Sequence, residues 1–384
     1  MSKNTISAVY RICLYLSAAC FLALIVCWIK GYSAGCGLFA VCCIILLPIG
    51  MSDVPFLRTY RFTACIVAAV VTAMLYPQCF LEPGGVNLTD KRLIRFIVQL
   101  VMFGMGTQMS ARDFIGVVKM PKAVLIGITC QFTIMPLVGY TIAKAIGFPP
   151  EIAAGIILIG SCSSGLASNV MAYLARANLA LSVTLTAIAQ LFAPVMTPLW
   201  MKLLASEFVQ IEFLKMMINI ILMVVLPIFA ALIYNWLRKD RLKWLHSLMP
   251  ILSMAGIIYF TTVTTAAGRD HLLQVGGLLV IAAVLHNTAG YILGYWGCRL
   301  LRLDRDSCRT IAIEVGLQNG GMASGLAGQM GKLATVGLAS AIFSPWMNVS
   351  GSVLANFWRR RPVVKDRARN SASVENIAPG SDTC

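Results

Sequence analysis

The chain has 384 residues, of which 59% are hydrophobic and 12% charged, with a mean hydropathy of +0.81. That balance excludes a soluble protein of ordinary surface area and reads as a polytopic membrane protein. The net charge of +16 does not signal nucleic acid, because the basic residues sit in short loops between apolar runs, where membrane orientation requires them. Thirteen cysteines without a single Cys-x-x-Cys spacing read as small buried hydrophobes rather than as a disulfide or metal framework.

In chain order, apolar runs predict about twelve helical spans. They fall near 12–29, 34–50, 62–78, 93–110, 122–145, 150–175, 178–201, 214–237, 249–267, 272–299, 308–330 and 333–357. No barrel-type alternation is present, and lipid leaves only helices as the remaining choice. The first run follows Lys3 and Arg11, and Ser17-Ala18-Ala19-Cys20 is loosely like a lipoprotein cleavage box. The apolar stretch before Cys20 is too short for a signal and more spans follow, so a retained anchor is expected. With the N-terminus in the cytoplasm, 22 of the 31 Lys and Arg fall in loops on that side. The opposite loops hold the other nine: Lys30, Lys91, Arg92, Arg95, Lys144, Lys202, Lys215, Arg269 and Lys332. Both termini are therefore expected in the cytoplasm. Residues 359–384 are basic and then rich in polar residues and read as a disordered cytoplasmic tail.

Two spans have polar, glycine-rich middles. One carries Gly160-Ser161-Cys162-Ser163-Ser164-Gly165-Leu166-Ala167-Ser168-Asn169, and the other runs from Glu314 through Gln318, Asn319, Gly320, Gly321, Ser324 and Gly325. Glu314 is the one carboxylate deep within an apolar run, where an ionisable group costs roughly 3 kcal/mol on insertion scales, so it needs a compensating partner. A hydroxyl-bearing, proline-containing span follows each segment: Ser182, Thr184, Thr186 and Pro194 after the first, Ser340, Ser344 and Pro345 after the second. Residues 62–201 and 214–357 then hold five spans each, and an odd number makes the two repeats inverted. Interrupted helices at matching places in two halves point to a transporter's midplane site. Glycine-mediated helix packing accounts for the Gly and Ser but not for Glu314, Gln318, Asn319 and Asn169 together.

Carboxylate, amide and hydroxyl oxygens are hard ligands that suit sodium better than zinc or copper. Ser182 and Thr186 share one helix face, as do Glu314 and Gln318. Gln131 adds an amide just before Pro136. His246, His271 and His286 are scattered, and no nucleophile elbow, phosphate loop or HExxH motif occurs, so an enzyme is not expected and no cofactor is called for. His286, beside Asn287 within a span, reads as a satisfied interhelical histidine.

Phe103-Gly104-Met105-Gly106, Gln131-Phe132-Thr133-Ile134-Met135-Pro136, Ala167-Ser168-Asn169-Val170-Met171-Ala172-Tyr173-Leu174-Ala175 and Glu314-Val315-Gly316-Leu317-Gln318-Asn319 resemble the bile acid:sodium symporter family, in a bacterial member. The likeness covers about residues 60–358 and leaves the first two spans, within 1–59, outside it. It implies an all-α fold of ten helices in two inverted five-helix repeats, with a panel domain and a core domain holding two crossed, broken helices. It further implies one sodium site from Ser168, Asn169, Ser182, Thr186 and Glu314. A second would use Gln131, Gln318 and backbone oxygens around Glu314, Val315 and Leu317. Asn319, Ser163, Ser164, Leu166 and Met347 are the implied substrate positions. Many relatives have a Pro-Gly-Gly-Thr-like stretch where this chain has Ser163-Ser164-Gly165-Leu166, and some have a histidine where Met347 follows Trp346. Those departures favour a small carboxylate, pantothenate-like or pyruvate-like, over a bile acid.

The expected activity is sodium-coupled symport of an organic anion by alternating access in the cell inner membrane, with the bilayer, sodium and the anion as partners. Two alternatives stand beside it. Sodium-independent uniport, exchange or arsenite-type extrusion would call on Cys162, and a non-transporting membrane sensor would tolerate loss of Glu314.

Overall fold

Helix follows helix through the computed structural model, which describes residues 3–29, 33–54, 61–237 and 243–361, and no strand forms among them. Backbone polar groups in lipid must be paired within the segment, which a helix achieves by itself. The chain runs α1 (Lys3–Ile29), α2 (Ser33–Gly50), α3 (Arg61–Leu75), α4 (Lys91–Thr107), α5 (Pro121–Ile146), α6 (Pro150–Ser161), α7 (Leu166–Leu174) and α8 (Leu179–Trp200). It continues through α9 (Phe213–Ile220), α10 (Leu226–Leu237), α11 (Lys243–Ala267), α12 (Arg269–Leu300), α13 (Arg305–Gly316), α14 (Gly320–Gln329) and α15 (Val336–Arg359). A wide π turn over Met201–Ala205 extends α8, and another over Ile221–Val225 joins α9 to α10.

Among the described residues five helical stretches are long and apolar enough to cross a bilayer as single rods, fewer than the twelve spans expected. For three of the missing spans the difference has a geometric cause. Residues 150–175 and 308–330 each fold as two half-helices, α6/α7 and α13/α14, of 9 to 12 residues. At 1.5 Å per residue neither half reaches across about 30 Å of hydrocarbon, whereas two in series do. The expected span at 62–78 also stops at Leu75, where the chain bends by 118° into a short second helix.

Order within the chain repeats. Three helical crossings, a broken helix and a final helix occupy residues 61–205, and the same succession occupies 213–359. An odd number of helical units in each set is what an inverted repeat requires. Packing separates two groups: α3, α4, α10 and α11 lie against one another as a panel, while α5–α8 and α12–α15 form a core. The Gly104 and Gly106 pair serves the panel, since a Cβ at Gly106 would fall 2.9 Å from the Ile228 Cα on α10. The backbones of α4 and α10 therefore nearly touch, as small residues allow in membranes.

The first two helices form a hairpin, held by Ser17 Oγ donating to the Cys43 carbonyl at 2.8 Å and by an Arg11–Asp53 ion pair at 2.7 Å. This hairpin reaches the panel through α2 against α3. The expected tail lies outside the described residues beyond Arg361, as do residues 238–242 of the loop between α10 and α11 and the side chain of His246.

Candidate functional site

Two breaks meet at the centre of the core. Helix α6 ends at Ser161 and α13 at Gly316, and after each the chain runs extended before a new helix begins. The two extended stretches cross antiparallel and pair at Ser164 and Gln318, with the Asn319 amide donating to the Ser163 carbonyl at 2.8 Å. That crossing brings position 164 beside position 314.

Glu314, 2% exposed, lies on the last turns of α13 and is met there by three hydroxyls. Ser182 Oγ donates to Oε1 at 2.5 Å, Ser164 Oγ to Oε2 at 2.6 Å, and Thr186 Oγ1 approaches Oε2 at 3.0 Å. Asn169 Oδ1 stands 2.9 Å from Ser182 Oγ and 3.2 Å from Thr186 Oγ1, and Ser168 Oγ lies 3.4 Å from Thr186 Oγ1 while donating to the Gly165 carbonyl. Each hydroxyl has one proton. Ser182 and Ser164 can donate to Glu314 while Thr186 donates to Asn169, which uses every one of these hydroxyl protons and leaves the remaining lone pairs of the carboxylate, the amide oxygen and the hydroxyls without a donor among them. No Lys, Arg or His pairs with Glu314 among the described residues. A buried cluster of oxygens around a carboxylate with no basic partner has the chemistry that suits a monovalent cation, since an uncompensated charge at this depth would cost several kcal/mol. No group of three or more His, Cys, Asp or Glu suited to a transition metal occurs among the described residues.

A second oxygen set lies on the other side of the crossing. Gln131 Nε2 donates to Gln318 Oε1 at 3.1 Å and to the Cys162 carbonyl at 3.2 Å, and Gln318 Nε2 donates to the Val315 carbonyl at 2.6 Å. Gln131 Oε1 is left buried with no donor. An orphaned acceptor here is costly unless a cation or another donor meets it. Leu317, in extended conformation, adds a carbonyl freed from the helix.

Comparison with known proteins gives the family. The pattern of the Sodium Bile acid symporter family matches residues 95–275. An uncharacterized sodium-dependent transporter of Bacillus subtilis is 42% identical over 73% of this chain and 87% of its own length. The chain belongs to the sodium bile acid symporter family. A probable sodium/metabolite cotransporter of the Arabidopsis thaliana chloroplast is 34% identical over 68% of this chain and 65% of its own length. The ileal sodium/bile acid cotransporter of Oryctolagus cuniculus is 29% identical over 59% of this chain and 66% of its own. The family is one of sodium-dependent membrane transporters rather than enzymes, and sodium is its coupling ion.

Within this symporter fold a cavity of about 90 Å³ separates panel from core beside the crossing. The panel side presents Val101, Met105, Ser253 and Phe260, and the core side presents Leu166, Asn319, Ser344 and Met347. Leu166, Asn319 and Met347, expected as substrate positions, line this cavity. Ser163 and Ser164 do not line the cavity: Ser164 turns to Glu314, and Ser163 Oγ faces Met322 Sδ at 3.8 Å. The carboxylate draws the Ser164 hydroxyl, because a hydrogen bond to a charged acceptor is roughly twice as strong as a neutral one.

Sequence reasoning missed three polar residues that hold the broken helices. Gln190 Nε2 donates to the Ser164 carbonyl at 2.9 Å, Thr197 Oγ1 to the Ser161 carbonyl at 2.7 Å, and Asn287 Nδ2 to the Gly316 carbonyl at 2.7 Å. A signal for Gln190 was available, since Ser182, Thr186 and Gln190 recur every four residues on one face of α8. His286 is buried and bonded to the Met135 carbonyl at 2.9 Å, an interhelical role as expected.

Proposed function

We propose that the protein is a sodium-coupled symporter of a small organic anion in the bacterial plasma membrane, with both termini in the cytoplasm. The observation that carries this reading is the buried Glu314 carboxylate, surrounded by hydroxyl and amide oxygens with no basic partner among the described residues. One sodium ion is held by Glu314, Ser168, Asn169, Ser182 and Thr186. A second is held by Gln131 and Gln318 with carbonyls of Glu314, Val315 and Leu317. Because Glu314 and the strand after it belong to both sets, filling them fixes the crossing and aims the start of α14, with its positive dipole end and Asn319, at the substrate anion. The domain division into an N-terminal hairpin (1–59), a ten-helix symporter unit (60–358) and a tail (359–384) belongs to the same reading.

A small carboxylate fits better than a steroid. The cavity is well short of the roughly 300 Å³ at which drug-sized ligand pockets begin, and its wall is mostly apolar. Rocking of core against panel then widens it on one side at a time. Arsenite-type extrusion would need a reachable thiol at the break, and Cys162 is fully buried. Proteoliposome uptake of pyruvate, pantothenate and taurocholate tests the proposal: one small acid is expected to accumulate only under an inward sodium gradient. Equal uptake in sodium-free buffer would refute it.

A further inference from the structure

A second seam between panel and core lies one turn inside the start of α4. There Arg95 NH2 donates to Gln329 Oε1 at 2.9 Å and approaches Asn219 Oδ1 at 3.4 Å, while its Nε is buried with no partner. Gln329 Nε2 in turn donates to the Lys91 carbonyl at 2.8 Å, so one core amide clasps the panel twice. A cavity of about 120 Å³ opens beside it, lined by Lys91, Glu212, Lys215, Lys332, Asn219 and Gln329 among others, so that both amides that hold Arg95 reach it although Arg95 itself is not in its wall.

The nearby carboxylates, Glu212 in the cavity wall among them, are paired or capping. Glu212 pairs with Lys215 at 3.0 Å, Glu151 pairs with Lys332 and accepts from Thr335, and Asp90 caps α4 by accepting from the Arg92 and Leu93 amides. Neither Lys91 nor Arg95 has a carboxylate partner among the described residues. Both also stand in the first turns of α4, where the helix dipole is itself positive and cations are disfavoured. The sequence adds an independent sign. Lys91, Arg92 and Arg95 are a third of the nine basic residues assigned to the non-cytoplasmic side, where such residues are otherwise avoided. A guanidinium held only by neutral amides, with an unused donor edge, is poised for a carboxylate.

We propose that Arg95 and Lys91, with Asn219 and Gln329, form a receiving site for the substrate anion at the outer seam, where the carboxylate displaces Gln329 from Arg95 before moving to the crossing. Displacement breaks one of the two bonds by which Gln329 clasps the panel, so anion arrival loosens the seam. This inference rests on the organic-anion reading above, and its test separates the two.

Met330 lines the same cavity, so Met330→Cys, in a Cys79→Ser background, reports local potential without removing a charge. The parent without Met330→Cys supplies the blank for other thiols. The rate ratio of an anionic to a cationic methanethiosulfonate reagent is expected to be several-fold above one and to fall several-fold on adding Arg95→Gln or Lys91→Gln. This needs no transported substrate. Should none of the three acids be transported, the symport reading fails while the ratio still decides the anion site. For an acid that is transported, Arg95→Gln is expected to raise the external KM about tenfold with the sodium half-saturation unchanged, and Arg95→Lys to recover part of the loss. A ratio unmoved by both charge removals overturns the site, and a lowered ratio with an unchanged external KM overturns its role in receiving substrate. If Arg95→Gln does not fold, Lys91→Gln carries both readouts.

Discussion

Glu314 governs the chemistry at the scale of single residues, and Ser164 shows how its surroundings were assembled. Removing the Ser164 hydroxyl takes a 2.6 Å donor from a buried carboxylate, and such bonds to charged groups contribute about 1.5–3 kcal/mol. Ser164→Ala is therefore expected to lower thermal stability more in sodium-free buffer than in saturating sodium, where the cation supplies compensation. Equal losses in both buffers, measured by thermal unfolding, would remove Ser164 from the sodium environment. Glu314, Ser182 and Thr186 were legible in the sequence because helical spacing puts i and i+4 on one face and because a carboxylate in an apolar run is conspicuous. Ser164, expected as a substrate contact, bonds Glu314. Its partner is 150 positions away in the chain, and only the antiparallel crossing brings the two together, which no local pattern reveals.

The broken helices are stabilised in the same manner in both repeats. Gln131 on α5 donates to the Cys162 carbonyl just past α6, and Asn287 on α12 donates to the Gly316 carbonyl that ends α13. Each break exposes carbonyls that lipid cannot satisfy, so an amide from the preceding helix takes one of them. The interruptions themselves were visible as glycine and serine clusters, but the clamps were not, since a lone buried Gln or Asn looks the same whether it bonds a side chain or a backbone. Close approach is the other requirement at the breaks. A Cβ on Gly320 would lie 1.9 Å from Ser344 Oγ and 3.1 Å from its Cβ. Gly320→Ala should thus destabilise the protein by about 1–3 kcal/mol, the usual range for overpacking. Adding Ser344→Ala removes the nearer atom and should restore most of that stability. A double variant as unstable as Gly320→Ala alone, in denaturation of the purified protein, would rule out this contact as the cause.

For the whole molecule, the two oxygen sets share the strand that follows Glu314 and so should act as one network. Ser182→Ala removes a donor from the first set and Gln318→Ala an amide from the second. Their combined effect on sodium-dependent stabilisation should depart from additivity by roughly 1 kcal/mol, the scale for groups in one network. Strict additivity would mean independent sites. The repeated succession of five helical units was legible because composition sets where apolar runs begin and end. The separation into panel and core was implied only by family resemblance, because no single span records which others it packs against. Sodium binding at the crossing is most directly measured by equilibrium binding of radioactive sodium to the purified protein, wild type against Glu314→Gln, a change that keeps volume and removes charge. Saturable binding by the wild type, weakened at least tenfold in the variant, is the predicted result. Absence of saturable binding by the wild type, or equal affinity in the folded variant, would contradict the account.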